Sequence, residues 1–171
     1  SHDWTRTGSP LLLIETALEM QKAGFNVRVA ALQYDFSEDN PAVSSGVPLI
    51  PIADAFSAAN EADLVVANTA EASMWIDSFR VRFPHSSARV VWWIHELDPR
   101  KYADSVVRLD HADALIFDSQ ASLDSWENAG YAFPAFADVV HPGVSDTWIL
   151  ESQKSAFPLS LPSCQRRWMR D

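Results

Sequence analysis

Five short apolar runs punctuate the chain, at residues 27–32, 64–67, 90–94, 114–117 and 137–140. Most are continuous rather than alternating, the pattern of strands covered on both faces and hence of a parallel sheet. A weaker run at 48–52 contains two prolines, which confines it to a short or edge strand. Helical periodicity fills the gaps. Ser9-Pro10 predicts a helix start, with Ser9 as N-cap and Pro10 at the first helical position. Leu11, Ile14, Ala17 and Leu18 then form one apolar stripe, and Gly24 closes it. Thr69 predicts a cap for a helix reaching Arg82, Asp98-Pro99 opens another ending near His111, and Ser119 caps a fourth ending near Asn128 with Gly130 beyond it. Residues 34–46 are polar and turn-rich and read as a surface loop. Strand and helix alternate throughout, which predicts an α/β, Rossmann-like three-layer sandwich with a mostly parallel sheet.

Composition narrows the class. The 171 residues suit one domain, and 47% hydrophobic with 21% charged residues is ordinary for a globular chain. Thirteen basic and 23 acidic residues give a net charge of −10, which disfavours nucleic acid and anionic membranes as partners. The charge is uneven: residues 149–171 carry four basic and two acidic residues, leaving 9 and 21 over residues 1–148. With Pro158, Pro162, Arg166, Arg167 and Arg170 and no clear period, residues 149–171 read as a poorly structured C-terminal tail on a domain spanning 1–148. A single cysteine, Cys164, excludes an internal disulfide and a cysteine zinc cluster. No apolar run reaches the length of a transmembrane segment, the start lacks a signal-peptide pattern, and the cytoplasm is the expected compartment.

Five places could carry chemistry, each at an expected strand end or the helix start after it, the edge at which open parallel sheets bind ligands. Thr7-Gly8-Ser9-Pro10 offers a helix N-terminus to an anion, although an ordinary cap explains it as well. Trp92-Trp93-Ile94-His95-Glu96 delivers an imidazole and a carboxylate at a strand mouth. Pro99 stands where H-E-x-x-H needs its second histidine, which disfavours a metalloprotease. Asn68 suits a polyol and Thr69 a cap; Asp118-Ser119 also suits a cap; His141-Pro142-Gly143-Val144 forms a strand end and turn. Walker, G-x-G-x-x-G, G-x-S-x-G and D-x-D patterns are all missing, and no cofactor or metal is expected.

In sequence order, Ser1-His2-Asp3, Thr7 to Leu12, residues 63–69, Trp92 to Glu96, residues 112–119 and Val140 to Val144 resemble the N-terminal, acceptor-side domain of a GT-B glycosyltransferase of the family-four retaining type. The resemblance implies two Rossmann-like halves facing across a cleft. Gly8 and Ser9 would approach the donor phosphates, and His95 would match the catalytic-site histidine. Asn68, Thr69, Glu96 and Ser119 would line the acceptor side. The implied partners are a nucleotide-sugar donor and a glycan or small-molecule acceptor, with a hexose transferred to an acceptor hydroxyl. The family's first strand, expected before Ser1-His2-Asp3 and central in the sheet, is missing from this sequence, and so is the donor-binding C-terminal domain. The sequence therefore looks like one half of a GT-B protein, inactive alone. A non-catalytic binding module, or half of a split protein, is the first alternative. A nucleotide-binding domain of another Rossmann enzyme is the second, disfavoured by the missing glycine fingerprint.

Overall fold

A computed structural model describes residues 8–32, 41–103, 106 and 108–143. The tail at 149–171 and the Ser1-His2-Asp3 motif lie outside these residues. Helix α1 spans Gly8–Lys22, α2 Pro41–Ser45, α3 Ile52–Asn60, α4 Ser73–Arg82 and α5 Gln120–Asn128; strands are β1 Leu64–Asn68, β2 Arg89–Ile94, β3 Ala114–Phe117 and β4 Ala137–Val139. The strands form one parallel sheet in the order β1-β2-β3-β4, the Rossmann-like α/β arrangement that the apolar runs predict. Successive parallel neighbours require crossovers, and their right-handedness puts α4, the β2–β3 connection and α5 on one face.

That face holds the main core. Val90, Trp92 and Ile94 of β2 pair with or neighbour Leu115 and Phe117 of β3, and Ile76 and Phe79 of α4 and Trp126 of α5 close over them. Residues of the opposite parity are less covered: Val91 and Ile116 are only half-buried. The continuous apolar runs thus overstate coverage, because one face carries most of the packing.

Several expectations are corrected. Residues 27–32 and 48–52 do not join the sheet; they meet in a single parallel bridge, Val29 to Leu49, with Val29 donating to the Pro48 carbonyl and accepting from Ile50. Helix α1 begins at Gly8, before the Ser9-Pro10 start expected. Its end matches: Gly24, at φ 92°, donates to the Gln21 carbonyl and Phe25 to that of Met20, a glycine-dependent helix stop. No continuous helix runs from Pro99 to His111. The described residues of the segment hold two short 3₁₀ turns, Pro99–Tyr102 and Leu109–His111, with Arg108 extended before the second. The turn-rich segment before Gly46 includes α2, and the alanine-rich stretch after Pro51 forms α3, which periodicity did not announce.

A second, smaller core joins Leu13, Ile14 and Ala17 of α1 to Val29, Ala31 and Val47. A cavity of about 430 Å³ lies between the two, bordered by α1, α3, residues 25–32 and the outer edge of β1. Thr69 donates to the Trp93 carbonyl and Arg89 to that of Asp63, so alternate residues of β1 serve β2. Leu64, Val66 and Asn68 turn their main-chain groups the other way, toward an edge that no strand covers among the described residues.

At the amino edge of the sheet, Asp113 organises a polar knot. It accepts from the Val90 N–H at 2.7 Å, Arg80 at 2.6 Å and Arg89 at 3.3 Å, while Arg80 also reaches the carbonyls of His111 and Ala88. Burial pushes the Asp113 carboxyl up, but the Val90 N–H and the two guanidiniums outweigh it and hold the group below the usual carboxylate range. A depressed folded-state value stabilises the fold above the ordinary range, and that contribution is lost as pH falls through it. Asp113→Asn is expected to cost about 1–3 kcal/mol near neutral pH, and the gap to the parent should close in acid. Thermal unfolding followed at both conditions checks this; a gap independent of pH contradicts it.

Candidate functional site

In-register parallel pairing brings the strand ends to one edge. Asn68, the last residue of β1, faces Trp93 of β2, and Ile94 faces Phe117. His95 and Asp118 are each the first residue past their strand, so they fall side by side on the same parity as Asn68 and Trp93. His95 Nδ1 lies 2.7 Å from Asp118 Oδ2, and His95 Nε2 lies 2.7 Å from Asn68 Oδ1. The other Asp118 oxygen accepts from Trp93 Nε1 at 2.7 Å, and the Asn68 amide nitrogen reaches the Ser9 carbonyl at 3.4 Å. The tilted Trp93 ring also packs on the imidazole, their centroids 4.9 Å apart. The row is well sheltered: Asn68 is fully buried, and the His95 side chain is 10% exposed.

Glu96 ties the turn behind this row. Its Oε2 accepts from the main-chain N–H of Ala70 at 2.9 Å and of His95 at 3.1 Å. Its carbonyl accepts from Ser122 Oγ and Trp126 Nε1, both at 2.8 Å, so α5 anchors the same turn. Burial raises the Glu96 carboxyl above its ordinary value, and the Ala70 N–H, its own N–H and His95 offset only part of this.

The structure brings Asn68, His95 and Glu96 together at the carboxyl edge. Ser9 joins them through its carbonyl. Gly8 sits exposed at the start of α1, and a side chain there would meet nothing within 4 Å, so no described neighbour demands glycine. Ser119 accepts from the Ser122 N–H at 3.2 Å and is occupied as the α5 cap. Thr69 does not cap as expected: its side chain makes no capping bond, and the Glu96 carboxylate takes the Ala70 N–H instead. Its hydroxyl is buried without any partner, and its backbone, φ 74° and ψ 158°, lies in a region almost reserved for glycine. His141 is exposed and its Nδ1 meets the Asp118 carbonyl at 3.0 Å.

Sequence reasoning placed Asp118 and Trp93 in two of the five candidate segments but gave neither a part in the row, favouring a cap for the first and an apolar strand position for the second. The signal was available: Asp118 follows β3 as His95 follows β2. Among the described residues, no cluster of three metal-ligating side chains occurs and no helix is long and apolar enough to cross a membrane.

A Rossmann-like domain with a polar row at the carboxyl edge of its parallel sheet belongs to the ligand-binding α/β class. Residues 1–153 match the sequence profile of glycosyl-transferase family 4, and the chain belongs to that family, whose fold is GT-B. Membership gives it a glycosyltransferase-type function, with donor and acceptor substrates. No curated protein and no solved structure matches it.

Strain of the kind seen at Thr69 costs on the order of 1–3 kcal/mol, and glycine removes both it and the orphan hydroxyl. Thr69→Gly is therefore expected to raise the unfolding free energy by about 1 kcal/mol. Chemical denaturation measures this, and a destabilised variant would show that the hydroxyl and methyl pack favourably where they are.

Proposed function

We propose that this domain forms the acceptor-side half of a glycosyltransferase that moves a hexose from a nucleotide-sugar to an acceptor hydroxyl. The supporting observation is the Asn68–His95–Asp118 row, a set of hydrogen-bonding groups matched to hydroxyls rather than to phosphates. In this reading His95 meets the transferred sugar or the acceptor, Asn68 and Glu96 line the acceptor side with Thr69 and Ser119 beside them, and Gly8 and Ser9 border the donor phosphates. Glycosyl transfer also needs charge stabilisation on the departing diphosphate. Among the described residues the row's hydrogen-bond partners include no lysine or arginine, and in this reading that task belongs to the donor-binding half that the family resemblance implies. Orienting the acceptor is the part this chain supplies.

The chain alone is expected to bind glycans weakly and to turn over no UDP- or GDP-sugar. Titration of the chain with a panel of mono- and disaccharides, followed by amide chemical shifts, should move Asn68, His95 and Glu96. His95→Ala should weaken that binding at least about fivefold, the loss of roughly 1 kcal/mol that one hydrogen bond supplies. Nucleotide-sugar turnover by the 171-residue chain, or equal sugar binding by the variant, overturns the reading.

A further inference from the structure

Each carboxylate oxygen of Asp118 faces one nitrogen of the row. Trp93 Nε1 takes one Asp118 oxygen and His95 Nδ1 the other, each at 2.7 Å. Indole N–H can only donate, so the first oxygen is committed as an acceptor. An ionised carboxylate offers only acceptors, so the ring nitrogen facing the second must carry a proton. At the far side of the ring, Nε2 faces an amide that can present either an oxygen or, after turning, its nitrogen.

We propose that Asp118 is a positioning residue that fixes the His95 proton on Nδ1, leaving Nε2 as the nitrogen that gains or loses a proton and meets a ligand. The charged ring donates from Nε2 to Asn68 Oδ1. In the neutral ring the Nε2 proton is the one gone, because Nδ1–H is held by the carboxylate. That is the reverse of the tautomer free histidine prefers, and it makes Nε2 an acceptor for a hydroxyl proton at the sheet edge. Trp93 sets which way Asp118 can act. In Asp118→Asn the amide must keep its oxygen toward the indole, which turns its NH₂ toward Nδ1 and forces the ring proton to Nε2. The same logic makes an amide in place of a histidine-orienting aspartate select the wrong tautomer.

The inference rests on reading His95 as the ligand-facing group, but its test does not require binding. Histidine labelled with ¹⁵N in both ring nitrogens, observed through two-bond ¹⁵N–¹H correlations at about pH 8.5, where ordinary imidazoles are neutral, reports each tautomer directly. His95 is identified as the signal lost in His95→Gln. The parent should show the Nδ1–H pattern. Asp118→Asn should invert it to Nε2–H, and the double variant Asp118→Asn, Trp93→Phe should return toward Nδ1–H, because the amide is then free to turn. Amide spectra confirm that each variant is folded; should Asp118→Asn not fold, the parent pattern alone decides. An Nε2–H parent, or an unchanged Asp118→Asn spectrum, overturns the proposal. If the tautomers behave as stated while sugar binding ignores His95→Ala, the functional reading fails and the positioning role stands.

Discussion

Parallel pairing of β1, β2 and β3 in strict register determines which side chains can meet. Because Asn68 sits opposite Trp93 and Ile94 opposite Phe117, the next residues along, His95 and Asp118, have no freedom to be elsewhere. A slip of one residue would send the row to the other face of the sheet. The register is held at both ends by polar groups. At the amino edge Asp113 gathers Arg80, Arg89 and the Val90 N–H; at the carboxyl edge the Glu96 carboxylate and carbonyl bind β1, β2 and α5 into one turn. Between them, buried Trp92 locks the pair directly by donating to the Thr69 carbonyl at 2.7 Å.

The two edges differ in how well they are satisfied. Asp113 has an abundance of donors and is drawn below its usual range, whereas Glu96 is pushed above it by burial. Thr69 adds an unpartnered hydroxyl and a backbone conformation suited to glycine on the same side as Glu96. Cost is concentrated at the carboxyl edge and stabilisation at the amino edge, the division that the proposed function, binding at one end and bracing at the other, would require.

The strands of the sheet were legible because burial demands apolar runs and each run ends at a polar residue. The segment at 27–32 shows the limit: its apolar residues do pack, but into the smaller core with α1, so hydrophobicity alone could not distinguish a bridge from a strand. The helix expected after Pro99 fails where Arg108 is extended, just past the β-branched pair Val106-Val107 that propensity already disfavours. Helix α3 is masked in the sequence by the proline-bearing run that ends in it, although four alanines in its nine residues favour a helix. Of the site, the strand-end positions of Asn68 and His95 could be read from the chain. The strand-end position of Asp118 could be read too, but its pairing with His95 needed the register, because that depends on the distance between strands rather than along one. The commitment of Trp93 was hidden for a simpler reason: a tryptophan in an apolar run is core by default, and only its Nε1 partner reveals otherwise.

Under the proposed function, burial of the row governs how a ligand enters. Both nitrogens of His95 already have partners within the protein, so a sugar hydroxyl cannot add to the ring without displacing one. The two bonds are unequal in what opposes their loss. Breaking Nδ1 from Asp118 strands a carboxylate oxygen in a sheltered place, a loss of the charged-group kind worth about 1.5–3 kcal/mol. Releasing Nε2 from Asn68 frees a neutral amide whose remaining tie, to the Ser9 carbonyl, is a long 3.4 Å. The easier opening is therefore at Asn68, and a hydroxyl arriving there can replace the amide oxygen as acceptor for Nε2–H or donate its own proton to a bare Nε2. In the proposed function, Asn68 keeps the imidazole ordered until a ligand hydroxyl takes over, so binding exchanges one hydrogen bond for another instead of creating one from nothing.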